Sequence, residues 1–340
     1  MAEITVSFNA ALAAAVAALK AAGASPEHAA ATGRALVTAE AAGNRGVGLK
    51  HLFTYGAALR EGRARGDALP VIDSDGGSVT RVDAAEGLPH LGVERALPAL
   101  VQSAQTSGVG SLALRNGYPC GALGTFARQL AEDHGLAALV AANAGPAVMA
   151  ASGGKAPVFC TNPLAFAVPQ GDSGPALVID QSSSAASLAK VREYAEAGRE
   201  IPAGWALDPA GHPTTDARAA LAGSLLPFGG ARGANIALMV ELLAAGLTGA
   251  NWSKDAPAFN KGSRSPGAGL FILAIDPGRG GAGENSGDFF TDRIAAWIAA
   301  VSAEDGVHLP GLAKGEALDH ARHRGFAVDA ALWARVKELA

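Results

Sequence analysis

Apolar positions recur at helical spacing from residue 7 to 42, broken only at Ala22-Gly23-Ala24-Ser25-Pro26. The break reads as the join between two helices, with Ser25 as N-cap, Pro26 in the first helical position and Glu27 in the first turn. A third helix is expected from about Leu49 to Gly62, after the glycine-punctuated stretch Gly43 to Gly48. Past Asp67 the texture changes. Short β-rich runs at 79–83, 111–115, 136–142, 164–168, 176–180 and 270–275 alternate with helical patterns at 93–107 and 123–133. The segment 234–246 is apolar nearly all round and predicts a fully buried helix. A loop rich in Gly, Ser and Pro covers about 250–268, and helical patterns return at 289–303, 315–325 and 329–339. This order predicts an α/β fold: a mixed sheet with helices packed on it, flanked by a helical domain formed by both chain ends. The corresponding division is an N-terminal helical segment at 1–75, a sheet domain at 76–287, and C-terminal helices at 288–340 packing with the first segment.

The chain has 340 residues, 49% of them hydrophobic and 17% charged, with a mean hydropathy of +0.20. That is the profile of a well-buried globular protein. A net charge of −4 and the lack of any long Lys/Arg block set nucleic acid aside as a partner. No signal peptide is evident, and the Ala-rich run from Ala10 to Ala22 is too short and weakly apolar to cross a bilayer. A cytoplasmic protein without a membrane partner is the expectation. Two cysteines, Cys120 and Cys160, cannot build a disulfide framework or a four-cysteine zinc site. The eight histidines lack metal-ligand spacing apart from His320 and His323, which read as a solvated helix face. No Gly-x-Gly-x-x-Gly stands at the start of a predicted helix in the manner of a Rossmann cradle, and no Gly-x-x-x-x-Gly-Lys-Ser/Thr phosphate loop is present.

Several blocks do carry chemistry. Leu226-Pro227-Phe228-Gly229-Gly230-Ala231-Arg232-Gly233 runs into an apolar helix. Its glycines let backbone amides approach a ligand at a helix start, where the dipole favours phosphate, and Arg232 adds a fork of donors. A tight turn before a buried helix is the alternative. Asp180 ends a strand and precedes Gln181-Ser182-Ser183-Ser184, hydroxyls able to bond ribose or amide groups; a capping role is the alternative. Thr161-Asn162-Pro163 is both a turn signal and a substrate-contact candidate.

Taken in order with Thr161-Asn162-Pro163-Leu164-Ala165-Phe166-Ala167-Val168-Pro169, Asp180 to Ser184, Ile201 to Asp208, Gly211 to Asp216 and Leu309-Pro310-Gly311, these blocks resemble one family. It is the malate/L-lactate dehydrogenase family of non-Rossmann NAD(P)-dependent oxidoreductases. The block from Leu226 to Gly249 looks closest to its Δ1-piperideine-2-carboxylate and Δ1-pyrroline-2-carboxylate reductases. The resemblance implies cofactor contacts at Pro119, Cys120, Gly121, Asn162, Gln181, Ser182, Gly230, Arg232 and Gly311, a tilt to NADP(H) over NAD(H), a small-molecule substrate and a homodimer.

The chain departs from the family where protons move. The usual Ser-His-Gly-x-x-Arg reads Gly46-Val47-Gly48-Leu49-Lys50-His51, and the usual Ser-x-His-Phe-Gly reads Gly117-Tyr118-Pro119-Cys120-Gly121. Valine donates no proton. Ketone reduction must neutralise a growing oxyanion, whereas a protonated imine already carries its proton and hydride simply discharges it. The expectation is therefore C=N reduction of a 2-imino acid or cyclic imine, with Asp180 as the anionic group beside the iminium. Two alternatives stay open. One is a malate/lactate-type 2-hydroxy acid dehydrogenase with a substitute acid drawn from Lys50, His51 or Tyr118; the other is a catalytically silent nucleotide-binding homologue. Thr161, Lys50 and His51 are the substrate-binding candidates, though Lys50 and His51 also fit a solvated helix face and Cys120 a packed small residue.

Overall fold

The structure is a computed structural model that describes residues 2–74, 76–280 and 286–340. The expected boundary at residue 75 lies outside the described residues. The centre is a seven-stranded sheet in the order Val71–Ser74, Val79–Asp83, Val109–Gly117, Ala268–Ile275, Ala137–Asn143, Leu164–Val168, Leu177–Gln181. Val79–Asp83 and Val109–Gly117 run parallel, joined by the helix Pro89–Ser107; every other neighbouring pair is antiparallel. The mixed sheet expected from the sequence is present.

One sheet face is dry. The helices Pro89–Ser107 and Leu123–His134 lie on it, and Leu100, Leu112, Leu130, Val140, Leu270 and Ile272 close a single apolar core. Burial of this order contributes about 1.5–3 kcal/mol per large side chain. The chain ends build a second core. Glu3–Val6 pairs antiparallel with Phe326–Asp329, and the helices Phe8–Ala21, Pro26–Ala41, His51–Arg60 and Ala330–Lys337 bury Leu19, Leu36, Leu52, Tyr55 and Val336 among themselves. Ser25 caps the second of these helices by accepting the His28 N–H at 3.3 Å, with Pro26 in its first turn. A smaller five-stranded sheet, in the order Pro213–Thr214, Ala206–Leu207, Ser224–Leu225, Met149–Ala150, Pro157–Phe159, packs with Val191, Ile201 and Ala237.

The helix expected at 234–246 is present but buried on one side only. Ala231–Glu241 is α-helical and Leu242–Leu247 widens into a π-turn, with Gly233, Ala234, Ala237, Val240 and Ala244 turned inward. Leu238, Met239, Leu242 and Leu247 are instead 46%, 39%, 50% and 67% exposed. The helix lies on the sheet rather than between two layers, so half of its apolar circumference faces outward. Among the described residues, no helix is long and apolar enough to cross a membrane.

Candidate functional site

Asp180 stands on the edge strand Leu177–Gln181, whose outer side pairs with nothing in the sheet. Its Oδ2 accepts the Gly124 N–H at 2.9 Å, so the carboxylate sits at the start of the helix Leu123–His134. Ala122, in the N-cap position, offers that helix no side-chain bond, and Asp180 supplies it from a distant strand. A Cβ on Gly124 would come within 2.9 Å of the same oxygen, so a larger residue there would displace the carboxylate. Burial pushes the Asp180 carboxyl up from its ordinary range, while the Gly124 amide and the Lys314 ammonium pull it back. The capping alternative and the charged-group expectation thus describe one atom arrangement.

Two more segments meet there. Lys314, in the first turn of the helix Leu312–Arg324, donates to Asn44 Oδ1 at 2.6 Å. That helix is fastened to the Asp180 strand, because Val178 N–H donates to Pro310 O at 3.1 Å. Gly311 packs so closely that a Cβ would fall 2.6 Å from Val178 N, a contact and a φ of 85° that glycine alone meets without strain. Asn44 begins the loop that runs through Gly46 and Val47. Arg45 ties this loop to both chain ends, donating to Glu3 Oε1 at 2.6 Å and to Ala327 O at 3.3 Å. Glu40 holds its far end by accepting the Leu49 N–H at 2.8 Å. Gly46 faces open space where a Cβ would project.

The other candidates fall on distinct sides of this cleft. His51 Nδ1 and the Val47 carbonyl lie 3.8 and 3.7 Å from the Cβ position of Gly121. Nδ1 is buried without a hydrogen-bond partner, and burial pulls the ring down to about 4. His51 is therefore neutral at physiological pH, which removes it as a cationic clamp and leaves it a hydrogen-bonding ring. Lys50 is exposed at the N-cap of the same helix, and its charge acts on Glu40. Tyr118 is not free to act as an acid. It is buried, donates its one proton to Phe259 O at 2.7 Å, accepts from Arg63 at 3.4 Å, and is pushed up to about 12 by burial. Pro119 and Cys120 form the wall beneath it through their carbonyls. Pro119 O accepts from Tyr55 at 2.9 Å and Cys120 O from His90 Nε2, also at 2.9 Å. The Cys120 thiol is buried and pushed up to about 12, so it acts as packing.

The remaining blocks gather beside Asp180. The Ser183 N–H donates to Thr161 O at 2.8 Å, Phe228 N–H to Ser183 O at 3.0 Å and Ala185 N–H to Leu226 O at 2.8 Å. The serine segment therefore lies between the Thr161–Asn162 turn and the Gly229–Gly230 turn. Asn162 is held at a φ of 38° and fully buried, donating to Ala237 O and Glu241 Oε2 at 2.8 Å each, which pins the turn to the helix Ala231–Glu241. Its Oδ1 is buried and unpartnered. Ser182 is half-buried with its hydroxyl 3.1 Å from that of Ser184, and Gln181 is exposed. Gly229 and Gly230 have φ of 55° and 64°, with nothing within 4 Å of where a Cβ would sit. Arg232 projects from the same helix start, exposed and, among the described residues, without an ion pair or hydrogen bond. Open amides, a helix dipole and a guanidinium fit a nucleotide phosphate. Lys314, Asn44, Gly124 and Glu40 were not singled out by sequence reasoning. Lys314 lies just before the helical pattern expected at 315–325, and no spacing rule links it to Asn44.

The malate/L-lactate dehydrogenase family model matches residues 6–337. The chain is 41% identical over 298 residues to a (2R)-3-sulfolactate dehydrogenase (NADP(+)) of Chromohalobacter salexigens, covering 87% of this chain and 86% of the relative. It is 40% identical over 326 residues to a Delta(1)-pyrroline-2-carboxylate reductase of Ancylobacter novellus, covering 94% and 93%. The solved delta1-piperideine-2-carboxylate reductase of Pseudomonas syringae superposes with a TM-score of 0.91 at 32% identity, over 99% of this chain and 100% of that one. The chain belongs to the malate/L-lactate dehydrogenase family.

Proposed function

We propose that the chain is an NADP(H)-dependent reductase that delivers hydride to the C=N bond of a small 2-imino acid, in the manner of the pyrroline- and piperideine-carboxylate reductases it resembles. One observation carries the reading: the buried Asp180 carboxyl is bound at Gly124, three residues on from the Gly121 turn that the Val47 carbonyl approaches, and Val47 is apolar where the family places its proton donor. Bound cofactor supplies the hydride. Asp180 holds the proton at the imine nitrogen, and the Gly124 N–H fixes the orientation of its carboxylate. Gly230, Arg232, Ser182 and Gln181 would hold the cofactor, with the Pro119-Cys120-Gly121 wall on its other side; Thr161 and the neutral His51 ring face the substrate. Asn162 supports that surface by tying its turn to the helix behind it. The exposed apolar stripe of Leu238, Met239, Leu242 and Leu247 supports a homodimer. The core in which residues 6–64 pack with 326–339, although Leu88 and Tyr118 join it, supports the division at 1–75, 76–287 and 288–340. A cytoplasmic location completes the reading.

A second reading, 2-hydroxy acid dehydrogenation, is favoured by the sulfolactate dehydrogenase relative and would use Asp180 itself as the acid. The test compares kcat/KM for matched imine and ketone pairs, in the protein and in a Gly46→Ser, Val47→His double variant. Gly46 has room for the serine. A general acid contributes about 10²–10⁴-fold, so the imine should lead by a similar factor and the restored dyad should raise ketone reduction selectively. A protein that already prefers ketones would leave the second reading standing.

A further inference from the structure

A protonated 2-imino acid is a zwitterion, with an iminium nitrogen and a carboxylate on adjacent atoms. The family residue that would meet the carboxylate, arginine, is His51 here, and its ring is neutral. Lys50 is exposed at the N-cap of its helix and acts on Glu40. Arg128, near the Gly311 turn, is already spent on Glu132 and the Gly311 carbonyl. Between the Asp180 strand and the Gly46–Val47 loop stands Lys314, exposed like Lys50 but, unlike it, bonded to that loop and acting on the Asp180 carboxyl. Lys314 is placed there by the close packing of Gly311 on Val178 and by the 2.6 Å bond from its ammonium to Asn44. That bond leaves two ammonium protons to give.

We propose that Lys314 receives the substrate carboxylate, so that Asp180 and Lys314 form a pair of opposite charges matched to the zwitterion of a protonated 2-imino acid. The inference rests on the imine reading and assigns the group that recognises the carboxylate of its 2-imino acid. Its geometry uses three parts of the chain: the sheet edge brings Asp180, the C-terminal helix brings Lys314, and Asn44 sets the ammonium beside the loop that carries Val47. The Lys314 charge is also the one that acts on the Asp180 carboxyl, so the two groups share a field before substrate arrives. An iminium entering beside Asp180 and a carboxylate beside Lys314 would replace that mutual attraction with two charge-assisted hydrogen bonds.

The experiment uses two substrates and two variants. Wild type, Lys314→Met and Lys314→Arg are assayed with Δ1-pyrroline-2-carboxylate and with 1-pyrroline, which lacks the carboxylate. Loss of a charged hydrogen bond should cost about 10–100-fold in kcat/KM on the carboxylated ring, mainly through KM. The bare ring should change less than about 3-fold, and Lys314→Arg should recover most of the loss. Equal losses on both rings would reduce Lys314 to a support for Asp180 and overturn the proposal, as would an unchanged preference. Equilibrium titration with proline and with pyrrolidine separates this from the reading beneath it. A protein that reduces neither ring but binds proline about 10–100-fold more weakly after Lys314→Met would lose the imine reading and keep the Lys314 site. If that titration is indifferent to Lys314→Met, the site falls whatever the chemistry.

Discussion

Two helices begin at this cleft, and they begin differently. Leu123–His134 starts against a carboxylate: the Gly124 N–H is taken by Asp180 at 2.9 Å, and a Cβ there would collide with it. Ala231–Glu241 starts in the open, from two glycines at positive φ with nothing within 4 Å of their Cβ positions and an exposed arginine in the first turn. Each has the same orphan amides and the same dipole. In one the positive end is spent on an internal anion that can face a cation; in the other it is left for an anion from outside. On the proposed function the contrast would divide the labour of the site, with hydride acceptor at the closed helix start and cofactor phosphate at the open one.

The division can be broken at either end. Asp180→Asn removes the charge but keeps the Gly124 bond, and should lower kcat by about 10²–10⁴-fold with cofactor affinity nearly unchanged. Steady-state kinetics beside cofactor titration reads both, and equal losses would return Asp180 to a purely capping role. Gly124→Ala pushes the same carboxylate aside and should cost about 10²-fold in kcat, since a displacement near 1 Å is worth that much. Around the closed start the histidines also titrate. His51 and His90 are pulled down to about 4 by burial, below the ordinary 6.5, so the unfolded chain binds their protons more tightly. Their stability contribution is whole above pH 6.5 and is lost as pH falls toward 4. At pH 5 the loss is about 2 kcal/mol for each, and His90→Gln should flatten the acid limb of a denaturation series by that amount. At the open start, Arg232→Ala should raise KM for NADPH about 10-fold, with kcat held and the effect shrinking as salt rises.

Much of this was readable in advance. The first two helices and their Ser25 cap, the strand Leu164–Val168 and the alternation of sheet and helix follow from period and punctuation, which are local properties. The five short strands from Met149–Ala150 to Ser224–Leu225 were missed, since two or three residues cannot establish a period of two. Glu3–Val6 and Phe326–Asp329 were missed because each is a strand only through the other. The segment 234–246 misled for a different reason: composition counts apolar side chains but does not say whether a second layer covers them. At the site, Asp180, Ser182, Gly230 and Arg232 were picked out by type and context. Lys314 and Asn44 were not, since their bond joins positions nearly the whole chain apart.

The pairing of Glu3–Val6 with Phe326–Asp329 also dictates when the protein can begin to work. Arg45 draws its anchors from that ribbon and Asn44 from Lys314, so the loop bearing Val47 is held from both ends of the polypeptide. A chain emerging from the ribosome carries the first strand out early and must wait for the last before this ribbon can close. The wait adds little to the closure entropy, which grows only as the logarithm of loop length, but it fixes the order of events. The sheet core, built from nearer neighbours, can fold earlier in translation, while the substrate loop gains its anchors only once Phe326–Asp329 has been made. A nascent chain still lacking its final segment would therefore hold a packed sheet with its catalytic edge unfinished. By the same geometry, joining the two ends and opening the chain at an exposed turn should give a permuted protein that folds.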